Sequence, residues 1–135
     1  MNKKQLDQLI LQMENYLECW KQFNHFLNIS RQKKFGDEDE NQFLEIKSVL
    51  AQQLELLLAS IECTNPTREE VHALIAAAPS IRYLSELNDG AIRSVENQWH
   101  KIYIGWQANL GQLKVKQAEM DQEGGGGFGL FGRKK

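Results

Sequence analysis

The sequence of 135 residues predicts an all-α fold: an antiparallel bundle of three long helices in up-down-up order, with two short connector helices and a disordered, glycine-rich, basic C-terminal tail. Apolar residues recur at helical spacing in three long stretches. Glycine or proline separates these stretches, and short connections favour antiparallel neighbours. The predicted bundle is one domain over residues 1–123, followed by a tail over 124–135. The predicted helices cover about 2–30, 37–63, 67–78, 80–88 and 89–123.

The first helix has apolar residues at alternating spacings of three and four. Ile10 and Leu17 widen this stripe, which favours a helix of a globular bundle over a two-stranded coiled coil. Gly36 is a plausible break after it. The stripe consists of Leu6, Leu9, Met13, Tyr16, Trp20, Phe23 and Leu27.

The second helix begins in an acidic run, where negative charge complements the helix dipole. Asp37 is the expected N-cap. The second half is apolar nearly all round, so we expect this helix to be the most buried of the three. Its stripe consists of Phe43, Ile46, Leu50, Leu54, Leu57 and Ile61.

Two short helices are predicted to form a compact connector. Thr67 and Glu70 have capping-box spacing at the start of one helix, Pro79 stops it, and Ser80 caps the next. With this connector at one end of the bundle, the last helix runs up. The tail then leaves beside the loop of residues 31–40.

The last helix carries two apolar lines. The main stripe consists of Ile92, Val95, Trp99, Ile102, Trp106, Leu110, Leu113 and Met120. We expect its two tryptophans, with Trp20 of the first helix, to be largely buried. The opposite side carries what we call the outer stripe, spaced 4, 3, 4 and 3: Ile104, Ala108, Gly111, Val115 and Ala118. These are either ordinary small surface residues or a second face that binds a partner.

Large apolar residues and cations share the glycine-rich tail, namely Phe128, Leu130, Phe131, Arg133, Lys134 and Lys135. One interpretation is a solubilising tail without structure. The other is a segment whose aromatic groups enter a groove or touch an anionic membrane, although each cation adds only ~1 kcal/mol there. The net charge is −2, and three of the sixteen basic residues stand in this tail. An acidic body is a poor candidate for broad nucleic-acid binding.

Residues that might carry chemistry do not form a recognised site. Glu69 and His72 have the spacing of one half of a di-iron motif, but no second Glu-x-x-His pair exists. Glu96 and His100 face away from the core stripe. Cys19 and Cys63 lie on long helices, where thiols are rarely activated. We therefore expect no cofactor, no metal and no enzymatic activity.

The loop between the first two helices combines a basic run, 31–34, with an acidic run, 37–40. These runs form either a bipolar docking patch or two helix ends that complement their dipoles. Capping does not explain Phe35, which stands between them.

The sequence favours a non-enzymatic interaction protein: an adaptor, a chaperone-like protein or an assembly factor that binds a partner helix or itself. The alternative is a peripheral tether, whose tail contacts a membrane or nucleic-acid surface. A metalloprotein or enzyme is a distant third. The two cysteines and the polar start, without a secretory signal, favour a cytoplasmic location.

Overall fold

The computed structural model describes residues 1–62 and 64–129, with side chains as far as 122. Throughout this part of the chain the regular elements are helices, so the predicted all-helical class is confirmed. The helix α5 continues to Gly129, beyond the predicted end at Glu123, and residues 130–135 lie outside the description. The helices are α1 (Lys3–Gln32), α2 (Asp37–Ser60), α3 (Arg68–Ala77), α4 (Ile81–Ser85) and α5 (Asp89–Gly129).

Both ends of α1 are capped by groups close in sequence. The Asn2 side chain accepts a hydrogen bond from the Gln5 N–H (2.8 Å), and the Gln5 side chain accepts one from the Asn2 N–H (3.0 Å). At the other end Lys33 adopts a left-handed conformation (φ 59°), and its N–H bonds to the Ile29 and Ser30 carbonyls. These caps satisfy backbone groups that a helix end leaves unpaired.

The most buried helix is α1, because α2, α4 and α5 all pack against it. The expectation that α2 would be the most buried is wrong, since Leu44 and Leu56 of α2 are more than half exposed. The main contact of α2 is with α1, and the short helices α3 and α4 cover the rest of its surface only in part. The buried residues of α1 are Leu6, Leu9, Ile10, Met13, Tyr16, Leu17, Trp20, Phe23, Phe26, Leu27 and Ser30.

The connector runs back along the bundle instead of sitting at one end. Near the end of α2, Glu55 pairs with Arg68 at the start of α3 (2.8 Å). Near the middle of α2, the Lys47 ammonium donates to the Pro79 carbonyl (2.9 Å), and at the beginning of α2, Glu40 accepts a hydrogen bond from the Ile81 N–H of α4 (2.8 Å). The two short helices therefore form a third pass, antiparallel to α2.

As a result α5 runs down, antiparallel to α1. Arg31 pairs with Glu96 at one end of these helices (2.7 Å), and Lys3 pairs with Asp121 at the other (2.9 Å). The observed order is up-down-up-down, which differs from the predicted up-down-up. The prediction failed because α3 and α4 together span most of the length of α2, which reverses the direction of the helix that follows.

A carboxylate of α2 holds the beginning of α4 in place. Glu40 accepts hydrogen bonds from the Ile81 N–H (2.8 Å) and the Arg82 N–H (3.0 Å). Lys47 donates to the Ala78 and Pro79 carbonyls just before α4, at 2.9 Å each. Two charged side chains of α2 thus satisfy backbone groups that the break at Pro79 leaves without helical partners.

We expect Glu40→Ala to lower the free energy of unfolding by about 1–3 kcal/mol, because it leaves two N–H donors at the start of α4 without their acceptor. Urea denaturation measures the loss. The matched control is Glu38→Ala, which removes an exposed carboxylate from the same first turn. Its expected cost is only about 0.3–1 kcal/mol, from the helix dipole. Equal losses in the two variants would contradict the role given to Glu40.

Two of the three tryptophans are fully buried, as predicted. The Tyr16 ring contacts Trp20 and Trp106 edge-on, with centroids 6.1 and 5.3 Å apart. Trp99 is only partly buried. Its indole N–H donates to the Trp20 carbonyl (2.8 Å), and its ring stacks on Tyr103 at 4.8 Å. Trp99 therefore lies at the edge of the core, closing the contact between α1 and α5.

Candidate interaction surface

The outer stripe lies on the face of α5 that points away from the core. Ile104 and Val115 keep 49% and 61% of their surface exposed, whereas Ile102 and Trp106 on the other side are buried. Ala108, Gly111 and Ala118 are exposed as well. The preceding turns of this face carry the exposed polar residues Arg93, Asn97 and His100. An exposed apolar line therefore runs along this face of α5 from Ile104 to Ala118.

A groove between the end of α2 and α5 adjoins the outer stripe. Its main cavity has a volume of 810 Å³, and Ile104 and Ala108 line one side while Leu58 and Ile61 line the other. A second cavity of 410 Å³ continues it along α5 toward Met1. Ile61 was predicted in the core stripe of the second helix, and the groove was not predicted. The groove lies where it does because Asn65 and Pro66, just before α3, line one end of it.

The turn between α2 and α3 packs closely on α5. A Cβ atom on Gly105 would lie 3.0 Å from Cδ of Pro66 and 3.1 Å from its nitrogen. One turn further on, the Asn109 amide donates to the Asn65 carbonyl (2.9 Å). Gly105 and Asn109 therefore fix the turn that closes one end of the groove.

Ion pairs stand on both sides of the outer stripe. Lys101 pairs with Glu70 of α3 (2.8 Å), and this hydrogen bond, followed by the Thr67 backbone N–H, holds the pKa of the Glu70 carboxyl below its usual value. On the other side Lys114 pairs with Glu14 of α1 (3.2 Å). Charged groups thus border an apolar centre, an arrangement typical of surfaces that bind another helix.

The candidate metal ligands do not converge. Glu96 forms a bidentate pair with Arg31 (2.7 and 2.8 Å), while Glu69, His72 and His100 are exposed. A search of the described residues finds no group of three or more His, Cys, Asp or Glu side chains that could hold a metal ion.

Cys19, the cysteine within the described residues, does not provide an activated thiol. Cys19 is partly buried, and this burial raises the pKa of its thiol, with the charge of Glu18 adding to the effect. A raised pKa leaves less thiolate at neutral pH, so the site does not favour nucleophilic chemistry. Cys63 lies outside the described residues.

In the loop between α1 and α2, the structure favours the capping interpretation. The N-cap of α2 is Gly36 instead of the predicted Asp37, and Asp39 accepts a hydrogen bond from the Gly36 N–H (2.9 Å). Arg31 pairs with Glu96 of α5, and Glu40 accepts hydrogen bonds from two N–H groups of α4. Phe35, which capping left unexplained, packs against the hydrophobic core.

Half of the predicted tail, residues 130–135, lies outside the described part of the chain, and so do the side chains of the other half. This applies to Leu130, Phe131 and Arg133–Lys135, and to the side chain of Phe128. The predicted departure of the tail beside residues 37–40 is wrong. Asp121, near the end of the described side chains, pairs with Lys3 at the opposite end of the bundle.

Comparison with known proteins gives no assignment: no family model, no curated protein and no solved structure matches this chain. Within the described residues, none of the helices combines the length and the apolar character needed to cross a membrane.

Proposed function

We propose that this protein is a non-enzymatic interaction protein, an adaptor, chaperone-like protein or assembly factor, and that the outer stripe of α5 binds a partner helix. The observation that carries the proposal is the exposure of Ile104 and Val115 on a face whose intervening positions are small. Scattered apolar residues are common on protein surfaces. Here they stand three helical turns apart on one face, with Ala108 and Gly111 between them.

Small residues at the centre of the stripe favour a helix as the partner. The distance between packed helix axes is about 8–10 Å and depends on the side chains at the contact. A Cβ atom added to Gly111 would have no other atom within 4 Å, so no other part of this chain occupies the surface at Gly111. A partner helix can use that space. The groove beside Ile104 can accept larger side chains of the partner.

We expect the double variant Ala108→Glu/Val115→Glu to lose partner binding and to keep its stability, because both positions are exposed. The matched control, Asn97→Glu, adds a carboxylate to the polar part of the same face. Purified proteins are used to capture partners from the native host, and mass spectrometry identifies them. Partners that are retained by the control and lost with the double variant support the proposal. If both variants capture the same proteins as the parent, the outer stripe is not the binding surface.

The alternative function, a peripheral tether, depends on the composition of residues 124–135. Vesicle flotation, with anionic lipid and with neutral lipid alone, measures membrane binding of the full chain and of a chain ending at Glu123. A tether loses binding to the anionic vesicles on truncation. If the protein binds its partners through the outer stripe of α5, the chain that ends at Glu123 still captures them.

A further inference from the structure

Four of the five residues of the outer stripe have a spacing that reads the same in both directions. Ile104, Ala108, Gly111 and Val115 follow each other at intervals of 4, 3 and 4 residues, with the two large residues outside and the two small residues inside. A twofold axis midway between Ala108 and Gly111 places Ile104 of one copy opposite Val115 of the other. It also places Ala108 opposite Gly111. A surface that complements itself in this way is what an isologous dimer requires.

Charges beside the stripe match the same arrangement. Lys101 and Glu119 lie on the same edge of the outer stripe, since 18 residues complete five turns of an α-helix. In an antiparallel pair of helices, flanking residues on equivalent edges face each other. The axis that pairs Ile104 with Val115 sets Lys101 of each copy opposite Ala118 of the other, so Glu119 lies one residue, or about 1.5 Å along the helix, from the facing position. The Lys101 side chain is 74% exposed, so it can reach across while it contacts Glu70.

We infer that the outer stripe binds a second copy of this chain, with the two α5 helices antiparallel about an axis between Ala108 and Gly111. This inference rests on the proposed function of the stripe and names its occupant. The net charge of −2 gives little repulsion between copies. A contact between two single helices falls at the small end of specific interfaces, below about 1,200 Å² in total, so the dimer is weak and depends on concentration.

Charge reversal tests the pairing. Sedimentation equilibrium gives the dimerisation constant of the parent, Lys101→Glu, Glu119→Lys and the double variant. Each single variant places like charges close to each other twice, which weakens the dimer about 3- to 10-fold, and the double variant restores it. Lys116→Glu, the control, makes the same change of charge away from the stripe and has little effect. A double variant weaker than either single variant would overturn the arrangement.

Cysteine cross-linking tests the direction of the helices. In a Cys19→Ser/Cys63→Ser background, a mixture of Ile104→Cys and Val115→Cys proteins forms a disulfide between the two. Neither variant links to itself, because equivalent positions lie about 16 Å apart in the antiparallel pair. Efficient linking of either variant to itself indicates parallel helices and overturns the inference, as does a parent that stays monomeric at millimolar concentration.

These outcomes separate the inference from the proposed function. A monomeric parent whose captured partners are lost with Ala108→Glu/Val115→Glu overturns the dimer and keeps the stripe as a binding surface for another protein. In the opposite outcome, the expected cross-links form and Ala108→Glu/Val115→Glu captures the same partners as the parent. That result supports the dimer and excludes the outer stripe as the binding surface for another protein.

Discussion

Replacement of Trp106 by alanine is expected to lower the free energy of unfolding by about 3–5 kcal/mol. The side chain is fully buried and contacts the Tyr16 ring edge-on at 5.3 Å, so truncation leaves a cavity between α1 and α5. Single domains are stabilised by only about 5–15 kcal/mol. Much of the stability of the bundle is therefore lost, which guanidinium denaturation followed by circular dichroism measures directly.

Trp99→Ala is the matched control for this prediction. It removes the same side chain from the same helix, but at a position that is only partly buried. Its expected cost is smaller, from the lost stacking on Tyr103 and the lost hydrogen bond to the Trp20 carbonyl. A larger loss of stability in Trp99→Ala than in Trp106→Ala would contradict the conclusion that Trp106 lies in the core and Trp99 at its edge.

Two glycines of α5 are expected to respond to alanine with opposite signs. Gly105→Ala should destabilise the protein by about 1–3 kcal/mol, because the new Cβ approaches Pro66 to 3.0 Å and pushes the turn away from α5. Gly111→Ala should stabilise the monomer by up to about 1 kcal/mol, since alanine favours a helix and nothing lies within 4 Å. Thermal unfolding of dilute protein gives both signs. Destabilisation by both substitutions would contradict the open surface above Gly111.

The caps that start the two short helices could be predicted because they depend on residues close in sequence. Thr67 and Glu70 form the expected capping box, and Ser80 caps α4 as expected. The direction of α5 was not predicted, because it depends on how far the connector travels along α2. That distance is set by the contacts of Glu40 and Lys47 with backbone atoms about 30 to 40 residues further on. Helical periodicity contains no signal for such contacts.

The outer stripe was visible in the sequence, and the groove beside it was not. The line of Ile104, Ala108 and Val115 is a property of one helix, so its spacing alone showed that it faces away from Trp106. The groove requires Leu58 and Ile61 of α2 to lie across from α5, with the turn at Pro66 closing one end. A glycine between Ile104 and Trp106 was the available sign of this close approach, because glycine weakens a helix unless its lack of a side chain is needed.

The brevity of α4 makes its helical state depend on the helices around it. A helix of five residues has no stability alone, since nucleation costs more than so few hydrogen bonds return. Its first N–H groups are held by Glu40, and its buried residues Ile81 and Leu84 pack on the side of the bundle formed by α1. One support comes from α2 and the other from α1. The helical state of α4 therefore depends on tertiary contacts with both long helices, and an isolated peptide of residues 80–88 would not keep it.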